Sequence, residues 1–144
     1  MLLVDAARVP PVTAAPDTTV LQAIRLMAAN DVGAVIVTDP LGKVLGIFTE
    51  RDNMLRVTLT DRDPKTTLLK DVMTTSVKTG APDMPAQEAL GRMLRSKHRH
   101  LPIVDKLGRV MGVISVRQLL VKRLDEQKDD IETLNAYATA GGPG

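Results

Sequence analysis

The stretch Asp39-Pro40-Leu41-Gly42-Lys43-Val44-Leu45-Gly46-Ile47-Phe48-Thr49-Glu50-Arg51-Asp52 returns 66 residues later as Asp105-Lys106-Leu107-Gly108-Arg109-Val110-Met111-Gly112-Val113-Ile114-Ser115-Val116-Arg117-Gln118. Each copy reads as a turn, an apolar strand and the start of a helix. Asp-x-Leu-Gly suits a tight turn, Asp by bonding its own backbone and Gly by tolerating positive φ. The aliphatic run that follows suits a strand. Working outward, residues 15–52 align without a gap on 81–118, with 11 identities in 38 positions. Among them are Ala15-Pro16-Asp17 on Ala81-Pro82-Asp83, Ala23 on Ala89 and Met27 on Met93. Two copies at this period predict a duplicated supersecondary unit, not a solenoid.

Each copy predicts the same elements. A short extended piece comes first, at Val12-Thr13 and at Val77-Lys78. A helix follows. In the first copy Thr19-x-x-Gln22 has the form of a capping box, and Val20, Ala23, Ile24 and Met27 share one face. In the second, Pro85 suits the first helical turn, and Ala86, Ala89, Leu90, Met93 and Leu94 make the stripe. Strands are expected over Ala34–Thr38, Val44–Phe48, Leu101–Val104 and Val110–Ile114, with a second helix from Thr49 or Ser115. The strands are near-continuous apolar runs, so helices should cover the sheets. The fold class is therefore α/β (α+β), a tandem of β-α-β-β-α units plus a C-terminal helix. The expected layout is residues 1–57 for the first unit, 58–68 for a polar linker, 69–122 for the second unit and 123–144 for a terminal helix and tail.

Composition narrows the function. Hydrophobic residues make up 44% but aromatics only 1%, so the core must be aliphatic, and the composition argues against RNA-binding modules that stack bases on aromatic platforms. The 19 basic and 17 acidic residues leave a net charge of +2, too small to imply nucleic-acid binding. With no Cys, thiolate chemistry and disulfides are excluded, and two His make a dedicated metal site an unpromising reading. No run is long enough to span a membrane, and the N-terminus lacks the form of a signal peptide. A soluble cytoplasmic protein is the expectation. No nucleophile–base pair, metal set or phosphate-binding loop is visible, so no enzymatic activity and no catalytic cofactor are expected.

The order and spacing of several segments resemble the CBS domain pair, or Bateman module. They are Asp71-Val72-Met73-Thr74, Ala15-Pro16-Asp17-Thr18-Thr19-Val20, Gly46-Ile47-Phe48-Thr49-Glu50-Arg51-Asp52, Arg99-His100-Leu101-Pro102-Ile103-Val104-Asp105 and Gly112-Val113-Ile114-Ser115. The resemblance spans roughly residues 8–122. It implies two units related by pseudo-twofold symmetry, with their sheets packed together. It also implies clefts between them for adenosine-containing ligands such as AMP, ADP, ATP, NAD(H) or S-adenosylmethionine. Homodimers and a regulated partner protein go with that reading.

Thr49-x-x-Asp52 is the sharpest candidate site. A carboxylate at a strand-to-helix junction can accept hydrogen bonds from a ribose diol, and free N–H groups at a helix start suit phosphate. The same pattern is also an ordinary helix cap, worth about 1 kcal/mol. The second copy has Ser115-x-x-Gln118 there, which keeps the cap and loses the carboxylate, so that site should be weaker, altered or empty. Arg99 and His100 bring charge that Gly33 and Ala34 lack at the aligned positions, and Arg99 has a fork suited to phosphate. Gly33 and Ala34 instead leave room for a ring. Arg51, Ile47, Val12 and Pro102 complete the candidate nucleotide-binding set. Gly46 and Gly112 interrupt apolar strands, which points to close packing there.

From Val116 the pattern stays helical, with Leu120, Leu124, Gln127, Ile131, Leu134 and Ala138 in steps of four and three before Gly141-Gly142-Pro143. That seam fits a dimer contact or a stripe lying back on its own unit. The leading expectation is a regulatory nucleotide-binding module that changes a partner when its cleft fills. The alternative is a ligand-independent interaction scaffold with a vestigial pocket.

Overall fold

A computed structural model describes residues 1–140, so the expected Gly141-Gly142-Pro143 stop lies outside the described residues. The elements in chain order are α1 (Leu3–Ala6), β1 (Thr13–Ala14), α2 (Val20–Asn30), β2 (Ala34–Thr38), β3 (Val44–Thr49) and α3 (Glu50–Asp52). A π-helical turn (Asn53–Thr58) follows, then α4 (Leu69–Val72), α5 (Ala86–Ser96), β4 (His100–Val104), β5 (Val110–Ser115) and α6 (Val116–Ala140). The protein is a mixed α/β fold of two alike halves with a C-terminal helix.

Local chemistry sets the boundaries. Thr19 caps α2 in a full capping box with Gln22. Asp31 and Lys97, aligned in the repeat, end α2 and α5 in the left-handed conformation. Pro85 stands one position before α5 as its N-cap, not within the first turn as the sequence suggested. In the two hairpin turns, Asp39 Oδ1 accepts from the N–H groups of Leu41 and Lys43, and Asp105 Oδ1 from those of Leu107 and Arg109. Gly42 and Gly108 take φ of +86° and +80°, which L side chains adopt only with strain.

The first half has a three-stranded sheet, β1-β2-β3, with β1 parallel and β3 antiparallel to β2. Among the described residues, the second half has a two-stranded sheet of β4 and β5. The extended piece expected at Val77-Lys78 is not a strand, and pairing is reduced to one parallel bridge between Gly80 and Ile103. The reason is Pro102. In the first half Ile36 N–H donates to Val12 O at 3.0 Å, and Pro102 aligns with Ile36 but has no N–H to give.

Alternation along the strands sorts the side chains. Val35, Val37 and Phe48 face a core with Val20, Ala23 and Met27 of α2. Leu101, Ile103 and Ile114 face the matching core with Ala89 and Met93 of α5. Ala34, Ile36 and Ile47 on the other face of the first sheet meet Val113 of the second, giving a third, shared apolar layer. The hairpins also touch at their turns: Val44 N–H donates to Gly108 O (3.2 Å) and Val110 N–H to Gly42 O (2.9 Å).

The lead-in segments are exchanged between halves. Leu3 and Ala6 of α1 are buried in the second core, and Leu69 and Val72 of α4 in the first. The exchange follows the repeat. Leu3 N–H donates to Met84 O and Ala86 N–H to Met1 O; likewise Leu69 N–H donates to Thr18 O and Val20 N–H to Thr67 O. Farther along, Arg8 pairs with Val113 of β5, and Thr74 pairs with Ile47 of β3.

Candidate functional site

The site grows from the place where β3 turns into α3. Thr49 is extended (φ −116°, ψ 167°) and caps the helix reciprocally with Asp52. Asp52 N–H donates to Thr49 Oγ1 (3.2 Å), while the N–H and hydroxyl of Thr49 donate to Asp52 Oδ2 at 3.0 and 3.1 Å. Thr74, delivered by the lead-in of the second repeat, donates its hydroxyl to Asp52 Oδ1 at 3.1 Å. Arg56 Nε lies 3.8 Å from the same oxygen, and its Nη1 donates to the carbonyls of Met73 (2.9 Å) and Val72 (3.3 Å). Asp52 is 8% exposed, and among the described residues it is the one charged side chain that is buried.

A carboxylate offers about four lone-pair positions, and three are taken by these donors. Asp52 therefore has room for one further hydroxyl. Two require the Thr74 or Thr49 hydroxyl, both freely rotating, to turn its proton elsewhere. The junction can thus grip a hydroxyl-bearing ligand by exchange of partners, with charge assistance.

The aligned junction in the second half is built from Ser115 and Gln118. Ser115 N–H donates to Gln118 Oε1 (2.8 Å) and Gln118 N–H to Ser115 Oγ (3.1 Å). The cap survives without the charge. Where Thr74 stands against β3, Arg8 stands against β5, joined to Val113 by backbone bonds of 2.9 and 3.2 Å.

The remaining candidates spread along the seam between halves. Ala34 and Ile47 are buried in the shared layer. Register puts Pro102 opposite Val113 and His100 opposite Ser115, on the inward side of the second sheet. Gly33 O accepts from Glu50 N–H (3.0 Å), and its aligned partner Arg99 O accepts from Val116 N–H (2.9 Å). A Cβ on Gly33 would lie 3.4 Å from His100 Nε2 and from Glu50 Cδ, so these side chains from opposite halves flank that backbone. Burial pulls the His100 pKa below its ordinary 6.5, Glu50 opposes that shift and Arg99 adds to it. The side chains of Arg99 and Arg51 are exposed. Val12 is buried along a different cleft, of about 610 Å³, which also contains Arg8, Leu26 and Asn30.

Thr74, Arg56, Arg8 and Asn30 were not singled out from the sequence. Thr74 and Arg8 are 66 residues apart like the rest of the repeat. They lie outside its identity-rich window, so a comparison carried seven residues further upstream would have paired them.

A family model described as CBS domain matches residues 4–52 and 69–125. CBS domain-containing protein CBSCBSPB2 of Arabidopsis thaliana is 37% identical over 123 residues, 85% of this chain and 23% of that protein. The chain spans between about a fifth and two thirds of the length of the first curated relatives it matches. Among solved structures, the CBS-domain containing protein ATU1752 from Agrobacterium tumefaciens superposes with a TM-score of 0.75 at 29% identity, over 85% of this chain and 99% of that one. The CBS domain pair of protein MJ0100, solved in complex with 5′-methylthioadenosine and S-adenosyl-L-methionine, gives a TM-score of 0.76 at 23% identity, over 89% and 98% of the two chains.

Proposed function

The chain belongs to the CBS domain family, and from that premise we propose that it is a regulatory module that binds an adenosine-containing ligand between its halves and changes the behaviour of a partner protein. The observation that carries this reading is the buried Asp52 carboxylate. It sits at a strand-to-helix junction and is clasped by a hydroxyl from the other repeat's lead-in at 3.1 Å. One hydroxyl of a ribose diol fills the open position on the carboxylate, and the second, taking the place of the Thr74 hydroxyl on Oδ1, loosens that lead-in. Ligand binding is thereby tied to the segment that joins the halves, and a ligand shifts an equilibrium only by such differential contact. The adenosine ligands of the MJ0100 pair support the ligand class. AMP, ADP, ATP, NAD(H) and S-adenosylmethionine all present the sugar that Asp52 would hold. Gly33, Ala34, Ile47 and Pro102 would line the seam, with His100, Arg99 and Arg51 nearer the phosphates. We read the module as non-catalytic, cytoplasmic and homodimeric.

The test is a thermal-shift panel of these ligands on the full chain and on Asp52→Ala. A ligand at about 100 times its Kd adds about 2.7 kcal/mol of stability, which shows as a clear rise in Tm. The reading expects at least one ligand to raise the wild-type Tm and Asp52→Ala to lose most of that rise. No response from the wild type would favour the ligand-independent scaffold. An unchanged response in Asp52→Ala would remove Asp52 from the site.

A further inference from the structure

The repeat brings its two hairpin turns together at one end of the molecule. Val44 N–H donates to Gly108 O at 3.2 Å, Val110 N–H donates to Gly42 O at 2.9 Å, and Lys43 is bridged to Arg109. These bonds hold the β2–β3 and β4–β5 turns as one surface. Leu41 and Leu107, aligned in the repeat, stand on it at 75% and 62% exposure. They line a cleft of about 430 Å³ together with Lys43, Lys106 and Arg109. The carboxylates of the turns are engaged locally. Asp39 and Asp105 each direct Oδ1 into their own turn, and Asp105 Oδ2 accepts from Arg109 Nε at 2.8 Å. Lys43 and Lys106 are in no ion pair among the described residues. Two exposed leucines set in uncompensated positive charge suit a partner surface that is apolar and acidic.

The chain carries a segment of that chemistry. Residues 121–136 of α6 are all exposed, about 24 Å of helix with no surface of their own chain over them. Within them, residues 124–134 hold Asp125, Glu126, Asp129, Asp130 and Glu132 against one base, Lys128. None of these carboxylates is ion-paired among the described residues. At the helical step of about 100° per residue, Asp130 and Glu132 stand on either side of the stripe made by Leu124, Ile131 and Leu134. A helix of this length with nothing to rest on is marginal in water. It also leaves β5 at the strand end remote from the turns, and the turns are open to a helix from outside.

We propose that the paired hairpin tips are the docking site for α6 of a second copy of this chain. Leu41 and Leu107 meet the apolar stripe of the incoming helix, and Lys43 and Lys106 face its Asp130 and Glu132. The contact closes as a twofold pair, each copy lending its helix to the other's tips, and the second contact forms within the complex begun by the first. The proposal rests on the homodimer reading above and names the surfaces that make it.

The experiment is sedimentation velocity on the full chain, at low salt and at about 0.5 M salt, where exposed charges are screened within a few ångströms. Lys43→Glu/Lys106→Glu reverses the tips, and Asp130→Lys/Glu132→Lys reverses the helix; all four positions are exposed. The wild type is expected to sediment as a dimer that loosens in salt. Each reversed variant should dimerise more weakly by about ten-fold or more, since attractive pairs at both contacts become repulsive ones. An equimolar mixture of the two variants, and a chain carrying all four changes, should each recover the dimer, because the facing charges are again opposite. That recovery also shows that neither reversal merely unfolds the protein. Dimerisation as tight as wild type in either reversed variant overturns the proposal, and so does a mixture or a combined chain that fails to recover. A dimeric wild type in those cases leaves the homodimer reading standing and removes only the pairing of tips with α6. A wild type that is monomeric at low salt removes both.

Discussion

Replacing Gly46 by Ala should unfasten the lead-in that carries Thr74. A Cβ at Gly46 would stand 2.6 Å from Met73 Sδ, 2.9 Å from Thr74 O and 3.0 Å from Met73 Cγ. The methionine side chain can swing aside, but a backbone carbonyl cannot. That carbonyl accepts from Ile47 N–H at 2.9 Å, and Thr74 N–H returns a bond to Ile47 O at 2.9 Å. Overfilling a packed site costs about 1–3 kcal/mol, and each weakened backbone bond adds up to about 1 kcal/mol. The lower entropy of the unfolded alanine chain offsets about 0.4–1 kcal/mol. The expected net loss is about 2 kcal/mol, or roughly 6–8 °C in Tm for a chain of this size. Gly112→Ala is the internal control. It meets a like backbone carbonyl, Arg8 O at 3.0 Å, but its side-chain neighbours stand farther off, Val9 Cγ2 at 3.1 Å and Ala7 Cβ at 3.3 Å, so it should cost somewhat less, about 1–2 kcal/mol. Urea unfolding gives both values. A double-mutant cycle with Thr74→Val adds a second readout. If Gly46→Ala displaces Thr74, removing its hydroxyl should cost at least about 0.5 kcal/mol less in the alanine background. A Gly46→Ala protein within about 0.5 kcal/mol of wild type, a scale ordinary for surface changes, would falsify this account of the contact.

Acid should weaken the fold through His100. Its folded pKa lies below the ordinary 6.5 because burial favours the neutral ring. The unfolded chain therefore binds the proton first, and stability present above pH 6.5 is lost as pH falls through and below that value. His100→Gln should flatten the decline seen between about pH 7 and pH 5, and identical slopes in the two proteins would refute the assignment. Leu124, Ile131 and Leu134 of α6 are 63%, 58% and 66% exposed, and the proposed dimer would bury them. A chain ended after Lys122 should sediment at a lower mass than the full chain, and an unchanged mass would remove α6 from any interface.

The fold was legible wherever the repeat carried its own signal. Asp39-x-Leu41-Gly42 and its copy marked the turns, and the aliphatic runs marked the strands. Two features escaped because they depend on partners distant in sequence. The exchange of α1 and α4 leaves no local trace, since a four-residue helix with two buried side chains reads the same whichever core receives it. The missing first strand of the second half depends on Pro102, whose absent donor matters only once the register is known. At the site, the cap between Thr49 and Asp52 followed from spacing, while Thr74 and Arg8 required the exchange to be seen. The π-helical turn after α3 had no counterpart in the repeat, since α6 continues regularly from Val116.

The crossed lead-ins bear on how such a chain can be taken apart. Severed in the stretch 58–68, the N-terminal piece would keep α1 but lack α4, and the C-terminal piece the reverse. Each piece would leave a hole in its own interior and carry the plug for the other's. Such pieces are expected to stay unfolded alone and to reassemble when mixed. A gene encoding a single repeat would meet the same need by joining two of its own products, each lending its first turn of helix to the other.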